Sequence, residues 1–284
     1  MQAANFYNRN AQAEPGTLSQ LLFALTLVVC MYLVLLFVEV VYKYIQRLSL
    51  NRTPLLPGTY STENKTVTIP QNPNLTGAKI VSLSSDERTG VEFTYTFYLH
   101  VNPATFKQEY GLLHLFHKGY SSQFPLLAPG VYMRSDTNTL RVYMNTYKTW
   151  NNFVDVENIP VGKWVHVAIA CKNNSLEVFI NGNLAKKLSF DGYAPYQNYQ
   201  DVICFSQRRI TLKHSIVPST EETGLDIFGA MKGLVSNLTY FSYALGYAEI
   251  QTLMNEGPST TMASATDTSD IPPYLDDTWW TQGY

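Results

Sequence analysis

Hydrophobic and polar positions along the chain fall into three regimes. From Leu21 to Val38 the sequence LLFALTLVVCMYLVLLFV carries no charge, and as a helix these about 18 residues would span roughly 27 Å, enough for a bilayer core. A buried soluble helix would show a polar stripe every third or fourth position, and Thr26 and Cys30 are too mild to make one. The middle of the chain switches to a period of two. Val91, Phe93, Tyr95, Phe97, Leu99 and Val101 alternate with Glu92, Thr94, Thr96, Tyr98 and His100, the pattern of a strand with one face toward a core and the other toward water. Leu140, Val142 and Met144 alternate with Arg141, Tyr143 and Asn145, and Leu176, Val178 and Ile180 with Glu177 and Phe179. Asn181-Gly182 then supplies the residues of a tight hairpin turn. A helical pattern appears only at Tyr247 to Asn255, so the middle reads as an antiparallel β-sandwich rather than a βαβ fold. After Gly257-Pro258 the chain turns to Ser, Thr, Ala and Asp, which cannot bury enough apolar surface to fold alone.

These regimes divide the chain into an N-terminal segment (1–17), a membrane helix (18–47), a stalk (48–77), a sandwich (78–257) and an acidic tail (258–284). The stalk is rich in Pro, Asn, Thr and Gly, with room for a short strand at Thr66 to Ile69. Leu21, Leu22, Phe23, Leu35, Leu36, Phe37 and Val38 stand for the lipid-facing surface of the anchor. Tyr42, Lys43, Tyr44 and Arg47 follow it, as rings and cations at a headgroup layer do. The apolar run is long, begins well inside the chain and is followed by Glu39 and bulky residues, which argues against a cleaved signal peptide. Lys43, Arg47 and Arg52 after the apolar run outnumber Arg9 and the amino terminus before it, where Glu14 also lies. The positive-inside rule therefore puts the C-terminal part on the cytosolic side.

Composition agrees with a strand-rich domain: 20 of the 284 residues are Tyr, aromatics reach 13% and charged residues only 15%. The net charge of -2 without any long Lys/Arg run excludes a nucleic-acid binder. Of the 3 cysteines, Cys30 lies in the apolar run. Cys171 and Cys204 are buried free thiols or a single disulfide. Sequons at Asn51, Asn64, Asn74, Asn173 and Asn237 do not by themselves define the compartment.

The run Gly162-Lys163-Trp164-Val165-His166-Val167-Ala168, followed by Leu176-Glu177-Val178-Phe179-Ile180-Asn181-Gly182, resembles the signature of laminin-G-like domains of the concanavalin A-like superfamily. Leu115-Phe116-His117-Lys118-Gly119 upstream and Gly233 to Phe241 with Ala244-Leu245 and Glu249-Ile250 downstream fall in the expected order. The resemblance implies an all-β, antiparallel jelly-roll sandwich whose relatives bind glycans or proteins, some through calcium. Trp164 and His166 read as core or inter-strand residues, with sugar stacking as the alternative.

Catalytic chemistry finds no support in the pattern. The glycoside hydrolases of the superfamily resemble one another in an E-x-D-x-x-E strand, which is absent here. Asp155-Val156-Glu157 offers only a pair, on what reads as a solvated edge. His114 and His117, three apart on a strand, should point to opposite faces and make a poor metal pair. Calcium, the one cofactor the resemblance raises, has Asp136, Asp155 and Asp191 near turns but no ligand-rich string; no cofactor is expected. Arg208, Arg209 and Lys213 form the one basic cluster, a solvated loop or a contact for headgroups or an acidic partner. In the tail, Tyr274, Leu275, Trp279 and Trp280 beside Pro272-Pro273 have the chemistry of a docking segment, or of a clasp on the chain's own sandwich. Together these readings describe a non-catalytic protein that joins a bilayer to a protein assembly. In architecture it resembles minor capsid or membrane proteins of large icosahedral DNA viruses. The alternative is a membrane-bound lectin-like receptor for a glycan.

Overall fold

The computed structural model describes residues 16–84, 91–107, 109–120, 126–172, 174–190, 192–213 and 224–263. It consists of two units, a helix up to Leu50 and a β domain from Asn51 onward. The helix α1 (Thr17–Leu50) is longer at both ends than the pattern predicts. Over Thr17–Lys43 it is long and apolar enough to cross a membrane. Its apolar side chains are exposed all round, Leu21 and Phe37 at 70% and 69%. Thr26 satisfies its hydroxyl on the Leu22 carbonyl one turn back, and Lys43 pairs with Glu39 at 2.6 Å.

The β domain contains β1 (Arg52–Ser61), β2 (Val67–Ile69), β3 (Phe93–Val101), β4 (Leu112–Lys118), β5 (Gly130–Arg134), β6 (Leu140–Met144) and β7 (Asn152–Val156). Then follow β8 (Trp164–Lys172), β9 (Ser175–Ile180), β10 (Asn183–Ser189), β11 (Val202–Cys204), β12 (Arg209–Lys213), β13 (Gly224–Ala230), β14 (Gly233–Phe241) and the helix α2 (Tyr247–Glu256). Six strands form one sheet in the order β1-β14-β3-β8-β9-β10. The other, eight-stranded sheet runs β12-β13-β4-β5-β6-β7, with β11 on β4 and β2 on β11. All these pairings are antiparallel except β13 with β4. The architecture is the expected antiparallel jelly-roll sandwich. Between the sheets lies a single large core, to which β3 contributes Phe93, Tyr95, Phe97 and Leu99, and β6 contributes Leu140, Val142 and Met144.

Three expectations change. The stretch Asn51 to Gly77 is no stalk: β1 pairs with β14 from Arg52↔Phe241 to Ser61↔Leu234 and buries Leu55 and Leu56. Pro54 and Pro57 mask it in the sequence, yet they are tolerated because β1 is an edge strand whose register is broken by irregularities at Pro54/Leu56 and Leu56/Thr59. The polar side of β3 does not face water. Thr94 Oγ1 donates to the Tyr243 carbonyl and accepts from Leu245 N, while Tyr98 OH lies 2.7 Å from the Leu253 carbonyl, so the segment through α2 covers that face. The tail does not leave the domain at Pro258 either, since Thr59 N donates to the Thr261 carbonyl and Ala263 N to the Thr59 carbonyl.

The Asn181-Gly182 turn forms as expected, both residues at positive φ (48° and 76°). Gln251 Nε2, at the end of a flexible side chain on α2, donates to the Gly182 carbonyl and lies over the position a Cβ would take.

Candidate functional site

Where one face of each β-strand is committed to the core, chemistry has to come from the outer faces and the loop rim. On the eight-stranded sheet the outward residues of β4 to β7 include Leu112, His114, His117, Tyr132, Arg141, Tyr143, Phe153 and Asp155. Their rings form a continuous cross-strand row: His117 to His114 at 4.9 Å between centroids, His114 to Tyr132 at 5.4 Å, Tyr132 to Tyr143 at 5.7 Å and Tyr143 to Phe153 at 5.5 Å. The Arg141 guanidinium lies 4.1 Å from the Phe153 centroid. Tyr132, Arg141 and Tyr143 are themselves buried, so the row is a second, outer core with an ionic end. The sequence pattern marked these positions only as the non-core side of separate strands; their alignment comes from strand register.

Asp155 is the direct register partner of Arg141. It accepts two hydrogen bonds from the guanidinium, from Nε and Nη2, both at 2.7 Å. Asp136 is held in the same bidentate way by Arg134, at 3.0 and 2.7 Å, which lowers its carboxyl below the usual range. Two of the three acids considered for calcium are therefore engaged by their own arginines, and Asp191 lies outside the described residues. Among the described residues no three His, Cys, Asp or Glu side chains stand together as a ligand set for a metal ion.

His114 and His117 do not point to opposite faces. The pairing of β4 with β5 slips between His114/Phe116. This irregularity buries Leu115 and Phe116 in succession and returns His117 to the face of His114. The two rings meet at 2.7 Å, Nε2 to Nδ1. Next to them Lys118 is buried, its ammonium donating to the Gln200 carbonyl at 2.6 Å; burial lowers its pKa to about 8.

The loop rim carries the exposed aromatics. Tyr147 is 74% exposed and Tyr199 71%, while Lys148 Nζ lies 4.5 Å from the ring centroid of Tyr193. Buried amides hold these two loops. Asn145 accepts from Leu127 N and donates to the Trp150 carbonyl, Gln197 donates to Tyr240 OH, and Asn198 donates to the Lys118 carbonyl. A Thr146↔Pro195 bridge joins the loops directly. Beside the end of β1, a polar cleft of ≈ 310 Å³ is lined by Tyr60, Asn64, Lys65, Thr68, Pro70 and Ala263 among others.

Trp164 is half-buried with the His100 ring 5.4 Å away. His166 is buried beside Tyr98 at 5.0 Å, its pKa lowered to about 4 by burial. Both therefore sit in inter-strand packing. Arg208 and Arg209 are exposed; Arg209 pairs with Glu109 at 3.5 Å and lies 4.5 Å from the Phe228 ring centroid. The side chain of Lys213, and Tyr274, Leu275, Trp279 and Trp280, lie outside the described residues. Cys171 and Cys204 are buried free thiols, one in each sheet.

The family model described as Concanavalin A-like lectin/glucanases superfamily matches residues 75–208. Similar solved structures include the receptor binding domain of botulinum neurotoxin D, with 10% identity and a TM-score of 0.46 over 70% of this chain and 43% of that one. The binding domain of Paraclostridial Mosquitocidal Protein 1 is 13% identical, with a TM-score of 0.41 over 72% of this chain and 42% of that one. The binding domain of botulinum neurotoxin DC in complex with SialylT gives 11% and 0.40 over 58% and 35%. The chain thus spans less than half the length of these structures. No curated protein matches.

Proposed function

Taking a concanavalin A-like sandwich behind an apolar helix as the premise, we propose that this chain is a membrane-held, non-catalytic binding protein. The observation that carries the reading is α1, whose apolar side chains are uncovered over the 27 residues from Thr17 to Lys43. Such a surface is stable in lipid, where the helix satisfies its own backbone groups. The absence of catalysis is supported by Asp155, whose carboxylate is tied to Arg141 and not poised as an acid or nucleophile opposite a second carboxyl. The domain works in this reading without calcium or another cofactor.

More finely, the sandwich links a bilayer to a protein assembly, with Tyr274, Leu275, Trp279 and Trp280 as docking anchors and Arg208, Arg209 and Lys213 as a basic contact. A minor capsid protein joining the inner membrane and shell of a large DNA virus is the assembly that best suits this architecture. The sandwich then lies on the cytosolic side, in keeping with Lys43, Arg47 and Arg52 after the apolar run Leu21 to Val38. Alkaline carbonate washing tests the anchor: the full chain is expected in the bilayer fraction, and its recovery in the supernatant would overturn the proposal. Orientation is tested by expression in a eukaryotic cell, where Asn64 and Asn74, exposed in turns, should stay unmodified.

The exposed Tyr147 and Tyr199 on amide-pinned loops favour a second reading, a membrane-bound lectin-like receptor, since phenol rings stack on sugars. Glycan-array binding lost in Tyr199→Ala or with EDTA would establish it in place of the first.

A further inference from the structure

The two ends of the sandwich lie side by side. Only Asn51 separates the end of α1 from the start of β1, so a pull on the helix reaches the N-terminal end of β1 through one residue. At the other end, the chain leaving α2 turns at Gly257, whose N–H donates to Tyr98 OH at 2.8 Å, and runs along the free edge of β1. Thr59 N donates to the Thr261 carbonyl and Ala263 N to the Thr59 carbonyl, both at 2.9 Å. Thr59 Oγ1 donates to the Ser259 carbonyl at 2.7 Å, and Ser259 N donates to Ser236 Oγ on β14 at 2.8 Å. Thr59 is 2% exposed, so on its side these bonds are shielded from competing water.

The bridge Thr59↔Met262 is parallel, and that direction decides how a load falls. Tension from α1 acts on β1 at its first residue, whereas tension from the tail acts on the 259–263 segment at its last. With both strands running the same way, these pulls oppose each other along the strand axis and slide the strands. The clamp bonds and the β1–β14 register, from Arg52↔Phe241 to Ser61↔Leu234, then carry the load together. Had the tail run antiparallel to β1, both pulls would act at one end and open the bonds in sequence.

We infer that the sandwich is a tension-bearing link between α1 and the C-terminal tail, clamped by Thr59 against Ser259 to Ala263. The inference rests on the proposed reading that the helix holds a membrane and the tail a partner. Resistance to force is set by the unfolding rate, and therefore by bonds that must break before the transition state.

Single-molecule pulling on the full-length chain in detergent tests it. With handles at the two termini, the unfolding force should exceed, by roughly twofold or more, that with handles at the N-terminus and at Lys187 on β10, the opposite sheet edge. Ala263→Pro removes one clamp donor without touching a strand, and should lower the first force while leaving the second unchanged, with a drop in melting temperature smaller than that of a chain ended at 257. Equal forces in the two geometries of the unmodified chain, or no effect of Ala263→Pro between the termini, would overturn the link. Neither measurement uses a membrane or a partner. A soluble full-length chain would sink the membrane reading without altering these forces, and weak forces would leave that reading intact.

Discussion

His114 Nε2 lies 2.7 Å from His117 Nδ1, in the middle of a chain of three hydrogen bonds. Ser206 N–H donates to His114 Nδ1 at 3.0 Å, and His117 Nε2 lies 3.1 Å from the Tyr120 carbonyl. An amide can only donate and a carbonyl only accept, so both imidazoles carry their proton on Nε2 and are neutral. A second proton on either ring would point a donor at a donor. Burial pushes the pKa of His114 well below 6.5, helped by His117, and burial lowers that of His117.

The unfolded chain therefore binds more protons than the folded one between these lowered values and about 6.5. Stability is complete above that range and is lost as pH falls through it. Urea midpoints measured from pH 7.5 to 5 should decline with acid, and decline less in His114→Gln/His117→Gln. His166 adds to the loss in both proteins.

Breaking the Arg141 and Asp155 pair should be costly in one direction. The Arg141 side chain is 5% exposed and that of Asp155 23%, so Asp155→Ala takes the carboxylate and its two hydrogen bonds from a buried guanidinium that still donates to Tyr143 OH, and should cost about 3 kcal/mol. Arg141→Met/Asp155→Val, which removes both charges, should melt closer to the native protein than Asp155→Ala does. A thermal double-mutant comparison decides it; equal melting of Asp155→Ala and the native protein would show the pair contributes nothing.

Truncations separate stalk from strand. Removing residues 1–50 should leave a soluble, folded sandwich, whereas removing 1–61 strips β1, takes Leu55 and Leu56 out of the core and exposes what they covered, with a large loss of melting temperature. At the other end, ending the chain at 263 should melt near the parent, and ending it at 257 should melt lower because Thr59 and Ser236 lose their partners. Circular dichroism melts of the four truncated chains check this.

Cys171 and Cys204 are buried in the core, and burial pushes the Cys171 thiol up to about 12, with Glu92 adding to it. In the chain lacking residues 1–50, neither thiol should react with a thiol reagent at pH 8 until denaturant is added. Rapid labelling of the native domain would contradict this burial.

The long apolar helix was legible because a run such as Leu21 to Val38 is a local property of the chain. The same holds for the core faces of β3, β6 and β9, which a period of two reveals without knowledge of any partner, and for the Asn181-Gly182 turn, whose backbone angles belong to those two residues. What the outward side of a strand meets is not local. Thr94 and Tyr98 look water-facing until the segment through α2, some 150 residues later, covers them. An irregular register at Leu115 overrides the alternation and joins His114 to His117, and β1 hides behind Pro54 and Pro57 until β14 pairs with it. Tertiary structure also turned Asp155 from a free acid into the partner of Arg141, and laid Ser259 to Ala263 beside Thr59. Composition and periodicity report which face a residue can bury; only cross-strand register and chain return decide against what.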